Sequence, residues 1–171
     1  DGGAIITNSK YLFNISKRLS NHGALKKYDH KFPGRNSRLD AIQSAILNIK
    51  LNDYKNVLKT RNNLASIYSK GLKNINGLNT YKYNKNNYYS FHQYVIRTNK
   101  RDKLRKYLSN NKIDTMIHYP YMLNQLKFFP NKKLKNSHLL GKKILSLPIS
   151  EDHTKKEIEF VCKKISSFFK R

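Results

Sequence analysis

At 171 residues, of which 38% are hydrophobic, the chain is long enough for one large domain or two small ones. Its formal net charge of +25, from 35 Lys and Arg against 10 Asp and Glu, predicts attraction to polyanions, nucleic acid first. Cys162 is the single cysteine, so an intrachain disulfide is excluded. No apolar run approaches the roughly 18 residues that a membrane span needs, and no secretory signal is present. We therefore expect a soluble, cytoplasmic protein without a membrane partner.

The first predicted elements are a short strand and a helix. Ala4–Thr7 is a β-prone run after two glycines, and Asn8 is of a residue type that caps helices. The helix that follows has apolar residues at spacings of three and four, namely Leu12, Ile15 and Leu19. Gly23 suits the left-handed conformation that ends a helix, and residues 24–36 are predicted to form a polar, basic loop.

A long helix is predicted over residues 37–74. Ser37 and Asp40 have the spacing of a capping box, although Asp is not the usual residue at its last position. Apolar residues then recur every three or four positions, including Leu39, Ile42, Ile46, Ile49, Tyr54, Val57, Leu64, Ile67, Tyr68 and Leu72. A helix of this length is typical of a link between two domains or of a dimer interface.

Residues 75–171 alternate between strand and helix patterns, which predicts a small α+β domain. In chain order we predict a strand at 88–97, a helix at Arg101–Asn111, a strand at Ile113–Ile117 and a helix at Ser137–Leu145. A last helix begins at a capping box formed by Thr154 and Glu157. Cys162 lies on the apolar face of this helix and is predicted to be a small buried hydrophobe.

The sequence contains no complete catalytic set. The six histidines show no HxxxH spacing that would support a zinc site, so no metal is expected. Neither a P-loop nor a GxGxxG motif is present. The candidate functional groups therefore lie in loops and at helix ends, where they can complete a site.

The start of the long helix concentrates groups that can hold an anion: Arg35, Asn36, Ser37 and Arg38. A helix N-terminus offers unpaired N–H groups and about half a positive charge, and phosphate commonly binds there. Asn36 and Ser37 also have a purely structural explanation as helix caps. From the residues alone, both interpretations stay open.

A second candidate site follows the predicted strand at Ile113–Ile117. His118, Tyr119 and Tyr121 place an imidazole and two phenol hydroxyls at a strand end, where binding groups often lie. The alternative is a tyrosine-rich packing corner.

The positive charge also has two explanations. It can mark a nucleic-acid-binding domain that uses Lys and Arg on phosphates and tyrosines for stacking. It can instead reflect a composition rich in Lys and Asn throughout the chain, since no block of five like charges appears.

Seven sequence pieces occur in an order that resembles the DegT/DnrJ/StrS-type sugar aminotransferases, which depend on pyridoxal phosphate (PLP). They are "DGGAIIT" at 1–7, "NHG" at 21–23, "GRNSRLDAIQSAIL" at 34–47, "SFHQYVIR" at 90–97, "IDTMIHYP" at 113–120, "ILSLPI" at 144–149 and the Thr154–Glu157 helix cap. One departure is that Tyr121-Met122 follows "HYP", where the family has a small apolar residue and Pro.

The resemblance implies an α/β fold, namely the C-terminal portion of a fold type I PLP-dependent aminotransferase. Residues 1–36 would end the large PLP-binding domain, residues 37–74 would form a long linking helix, and residues 75–171 would form the small C-terminal α+β domain. The lysine that forms the Schiff base is expected upstream of Asp1. Because the chain begins with Asp1 rather than Met, we expect a truncated sequence. Because the lysine is expected outside it, we expect this chain to be inactive alone.

The resemblance also assigns roles to the candidate residues. Asn36, with Arg38 beside it, would bind the cofactor phosphate of the neighbouring subunit across a homodimer interface, while His118 and Tyr119 would bind substrate. The implied reaction transfers an amino group from glutamate or glutamine to a keto sugar linked to a nucleotide. The alternatives are a basic nucleic-acid-binding domain and a regulatory relative of the aminotransferases.

Overall fold

The computed structural model describes residues 2–84, 87, 89–129 and 134–170. Asp1 of the "DGG" motif and Tyr88, the first residue of the strand predicted at 88–97, lie outside the described residues. The chain divides into two compact units, Asp1–Asp53 and Tyr54–Arg171, and the boundary falls inside one long helix.

The first unit begins with helix α1, Lys10–Leu19. The Ser9 side chain caps this helix by accepting a hydrogen bond from the Leu12 N–H at 3.3 Å, so the cap predicted at Asn8 was wrong by one position. The strand predicted at Ala4–Thr7 was also wrong, because this segment pairs with no strand among the described residues. A β-prone run needs a neighbour to form a ladder.

A tight turn after α1 fixes the segment that precedes the next helix. Gly23 has the predicted positive φ, +81°, and a Cβ there would lie 1.7 Å from the Phe32 carbonyl oxygen. Gly34 packs against the same turn, where a Cβ would lie 2.2 Å from the Gly23 nitrogen. The Arg35 N–H donates to the Leu19 carbonyl at 2.8 Å, and the Ser37 N–H donates to the Ser20 carbonyl at 2.9 Å. These contacts hold residues 34–37 in place against the end of α1.

Helix α2 spans Ala41–Gly71, which confirms a helix of about the predicted length. It begins later than predicted because the backbone around Ser37 is already bonded to the end of α1. The Asp40 carbonyl accepts the hydrogen bond of the Ser44 N–H at 2.9 Å, so the helical bonding starts there. The capping box predicted at Ser37 and Asp40 was therefore wrong.

The second unit contains a three-stranded antiparallel sheet in the order β1-β2-β3. The strands are β1 at Leu78–Thr80, β2 at Tyr94–Thr98 and β3 at Ile144–Leu147. Strand β2 confirms the later part of the predicted strand at 88–97. Strand β3 replaces the end of the helix predicted at Ser137–Leu145, since helix α4 spans only Lys135–Gly141.

The strand predicted at Ile113–Ile117 is reduced to one bridge between Met116 and Ser146 of β3. Helix α3, Arg101–Asn110, confirms the prediction for that segment, and a short 3-10 turn follows at Leu123–Gln125. Helix α5, Lys155–Phe169, starts at the predicted capping box.

Helices α2, α3 and α5 supply the core of the second unit together with the sheet. Its fully buried large side chains are Tyr68, Leu72, Tyr94, Ile96, Leu104, Leu108, Leu145, Ile158 and Ile165. Cys162 is buried as predicted, and burial raises the pKa of its thiol to about 11. The Tyr68 hydroxyl donates to the Pro148 carbonyl at 2.7 Å, which anchors the chain where it leaves β3.

Candidate functional site

The extended backbone before α2 divides the predicted group of anion-binding residues between two cavities. Successive side chains of an extended chain point to opposite sides. Asn36 and Arg38 line a surface cavity of about 470 Å³. Arg35 and Ser37 line a different one of about 370 Å³, at the end of α1. The structure thus brings together Asn36 and Arg38, and it separates both from Arg35 and Ser37.

Asn36 and Arg38 form a hydrogen-bonded pair. The Arg38 Nε donates to the Asn36 Oδ1 at 3.1 Å, and both residues are exposed. This bond uses the acceptor of the Asn36 amide and leaves its NH₂ group as a donor. The pair therefore presents hydrogen-bond donors and a fixed positive charge on one side.

The same cavity includes the start of α2. Asp40 and Ala41 line it, and the first turn of the helix carries no acidic residue. The unpaired N–H groups of that turn favour an anion. The Asp40 carboxylate opposes an anion, whereas Arg38 and the amide of Asn36 favour one. The donors outnumber the single acid, so this cavity suits an anion such as a phosphate.

The second candidate site lies in the other unit, at residues 118–121. The half-buried His118 has its Nδ1 2.9 Å from the Ser146 Oγ. The rings of His118 and Tyr119 meet edge to face, with 5.5 Å between centroids. Tyr119 is 68% exposed and Tyr121 is 72% exposed, which is unlike a packing corner. The side chains of both tyrosines can therefore reach a ligand.

Ser146 is a residue of this site that the sequence reasoning missed. It lies on β3, is only 6% exposed, and pairs with Val95 of β2. On its other side it exchanges two backbone hydrogen bonds with Met116, at 2.8 and 3.2 Å. Ser146 stands inside the quoted motif "ILSLPI", but its 28-residue separation from His118 hides the contact from any local pattern.

The described part of the chain holds neither a metal-binding cluster nor a membrane-spanning helix. There, no three His, Cys, Asp or Glu side chains lie close enough to hold a metal ion. None of its helices combines the length and the apolar character needed to cross a membrane.

Comparison with known proteins gives one consistent result. Residues 1–166 match the DegT/DnrJ/EryC1/StrS aminotransferase family. A "Pleiotropic regulatory protein" of Geobacillus stearothermophilus is 34% identical over 99% of this chain and 48% of its own length. The dTDP-3-amino-3,4,6-trideoxy-alpha-D-glucose transaminase of Streptomyces venezuelae is 33% identical over 87% of this chain and 41% of its own length.

The comparison of structures agrees with the comparison of sequences. The crystal structure of DesV from S. venezuelae in complex with a ketimine intermediate superposes with a TM-score of 0.90 and 29% sequence identity. The match covers 97% of this chain and 46% of that chain. The chain thus spans about half the length of the relatives that it matches.

Proposed function

The chain belongs to the DegT/DnrJ/EryC1/StrS aminotransferase family, and from this premise we propose that it is the C-terminal portion of a PLP-dependent nucleotide-sugar aminotransferase. The complete protein would transfer an amino group from glutamate or glutamine to a keto sugar carried on a nucleotide. Three relatives named as transaminases of dTDP- or UDP-linked sugars support this substrate class. A cytoplasmic location stays a prediction.

The single observation that carries the proposal is the pair formed by Asn36 and Arg38 beside the start of α2. Its donors and positive charge suit a phosphate, which is the part of PLP that a protein holds most easily at a helix start. When bound, PLP supplies the carrier for the amino group and the ring that withdraws electrons from it. The role of this chain at that position is to bind and orient the phosphate.

The phosphate would belong to the partner subunit in a homodimer. The first half of α2 has an exposed apolar face. It is formed by three residues at spacings of four and three, Ile42, Ile46 and Ile49. An exposed apolar stripe of this kind favours a protein interface. A second copy of the chain covering it would bring Asn36 to an interface, as a shared site requires.

His118 and Tyr119 are proposed to contact the sugar nucleotide. The exposed Tyr119 hydroxyl and the His118 ring are hydrogen-bonding groups suited to sugar hydroxyls and phosphates. They bind and position the substrate, while the lysine that moves the proton is expected outside this chain. The domain division at 1–36, 37–74 and 75–171 stays a prediction.

The proposal is tested on the complete protein. We expect PLP to bind, and ¹⁵N from labelled glutamate or from the amide of glutamine to appear in a nucleotide-linked keto sugar. Loss of PLP binding together with absence of transfer would overturn the proposal.

A regulatory function is the second candidate, because the Geobacillus stearothermophilus relative is named a regulatory protein. PLP binding with no amino transfer to any nucleotide-linked keto sugar would favour that candidate. The family match over 166 residues favours both over a nucleic-acid-binding domain.

A further inference from the structure

The orientation of the His118 ring is fixed by one buried hydroxyl. The Ser146 Oγ lies 2.9 Å from the His118 Nδ1, and Ser146 is held on both sides by backbone pairing, with Val95 and with Met116. A hydroxyl on a strand paired on both sides has little freedom to move away. The pairing of β3 on both sides therefore holds this contact in place.

The burial of Ser146 indicates the direction of this hydrogen bond. A hydroxyl that is 6% exposed is almost fully removed from water, so leaving its proton without an acceptor is unfavourable. Within the described part of the chain, the Ser146 hydroxyl has the Nδ1 of His118 as its hydrogen-bond partner. The Ser146 hydroxyl therefore donates and Nδ1 accepts. A neutral imidazole that accepts at Nδ1 carries its hydrogen on Nε2.

We propose that Ser146 is a positioning residue that holds neutral His118 as the Nε2–H tautomer. The ring nitrogen left for a ligand is then a hydrogen-bond donor, suited to an oxygen acceptor of the substrate such as a phosphate, hydroxyl or keto oxygen. In this form His118 binds and orients oxygen and does not act as a base at Nε2. The substrate contact rests on the proposed function, whereas the tautomer does not.

The tautomer can be read directly by long-range ¹H–¹⁵N NMR of this 171-residue chain at an alkaline pH, where imidazole is neutral. We expect His118 to show Nε2–H alone, with its signal assigned by its disappearance in His118→Gln. In Ser146→Ala, we expect a mixture of the two tautomers. An Nδ1–H signal for His118 in the unmodified chain would overturn the proposal, as would an unchanged Nε2–H population in Ser146→Ala.

The chain offers a matched control. Ser150 and His153 form a second Ser–His contact, 2.7 Å between Oγ and Nδ1, outside the candidate site. Ser150→Ala removes that hydroxyl and should change the His153 signals while leaving those of His118 as they were. A change at His118 in this variant would mean that the Ser146 effect is not specific.

A kinetic measurement on the complete protein separates this inference from the proposed function. Ser146→Ala should raise KM for the sugar nucleotide about 2- to 10-fold, the range of one ordinary hydrogen bond, with kcat nearly unchanged. Absence of amino transfer in the unmodified protein defeats the proposed function but leaves the tautomer result intact. An unchanged KM, in a protein that does transfer the amino group, contradicts the positioning role.

Discussion

The side chains of Asn36 and Arg38 contribute little to folding, because both are exposed. Hydrogen bonds between exposed side chains compete with water, so their net contribution is small. Asn36 also lies five positions before Ala41 and does not cap α2. Changes at Asn36 are therefore expected to act on ligand binding and not on stability, which makes this position suitable for a functional test.

Tyr119 provides a residue-scale prediction for the second site. Tyr119→Phe removes a hydroxyl from a side chain that is 68% exposed, so the Tm should stay within experimental error. If that hydroxyl binds the sugar nucleotide, KM in the complete protein should rise about 2- to 10-fold. Tyr121→Phe is the control, since Tyr121 is similarly exposed two positions later. Equal effects of the two variants, or no effect of Tyr119→Phe, would exclude a specific role for Tyr119.

At the scale of elements, Gly34 determines how the segment carrying Asn36 meets α1. A Cβ at Gly34 would lie 2.2 Å from the Gly23 nitrogen and 2.9 Å from the Leu19 carbonyl oxygen, and backbone atoms cannot rotate away. Gly34→Ala should destabilise the first unit by about 1–3 kcal/mol, as overpacking does. Gly3→Ala is the matched control, because a Cβ there meets nothing within 4 Å. Urea unfolding of both variants measures the difference, and equal stability of the two would contradict the described packing.

The capping box of α5 gives a prediction about pH. The Thr154 N–H donates to the Glu157 Oε2 at 2.7 Å and lowers the pKa of that carboxyl below its ordinary value of 4.5. A carboxyl whose pKa is lowered by folding stabilises the folded state at pH values above its ordinary pKa. This stabilisation is lost as the pH falls through the lower pKa of the folded state. Glu157→Gln should remove that part of the pH dependence.

Denaturant unfolding at a series of pH values between neutral and acid measures this effect. Glu159→Gln is the control on the same helix, since the partner of Glu159 is the exposed Lys155. Thr154→Ala should cost about 1 kcal/mol at neutral pH through loss of the cap. An identical pH profile for the unmodified chain and Glu157→Gln would show that the cap does not perturb Glu157.

The sequence predicted the helices better than the strands, for a physical reason. A helix such as α5 carries its periodic pattern and its cap within one segment, with Thr154 and Glu157 three positions apart. A strand is stabilised by a partner that is distant in sequence, so the pairing of Tyr94 with Leu147 leaves no local signal. The apolar pair Ile144 and Leu145 at the start of β3 also suits either structure, which is why these two residues were predicted as the end of a helix.

The candidate site shows the same division. Asn36 and Arg38 are two positions apart, and the sequence identified both. Arg35 is separated from them because hydrogen bonds to the end of α1 hold this segment in an extended conformation. The spacing of apolar residues, which predicts helices, gives no sign of those bonds. The contact between Ser146 and His118 depends on the bridge at Met116 and appears only in the folded chain.

At the scale of the whole molecule, the net charge of +25 is expected to act without selectivity. Nucleic acid should bind at low salt, because many phosphates can be neutralised at once. The affinity should fall steeply as the salt concentration rises, because the release of counterions from the nucleic acid then becomes less favourable. Anisotropy of labelled single- and double-stranded DNA measures this. Submicromolar binding at physiological salt that selects one sequence or structure would support the nucleic-acid-binding alternative.

The central claim is that Asn36 completes the cofactor site of the partner subunit. Asn36→Asp keeps the size of the side chain but places a carboxylate where the phosphate would bind, so the homodimer should fold normally and lose PLP. Asn36→Ala should weaken PLP binding about 10- to 100-fold, which is the range of a hydrogen bond to a charged group. Circular dichroism checks the fold of both variants.

The most direct measurement uses a mixed dimer of the complete protein. One subunit carries Asn36→Asp, and the other lacks only the lysine that binds the cofactor. If Asn36 acts across the interface, the unmodified Asn36 of the second subunit completes the intact lysine site of the first. Borohydride reduction should then fix one PLP per mixed dimer. If Asn36 serves its own subunit, both sites are defective, and a mixed dimer with no fixed PLP would contradict the account.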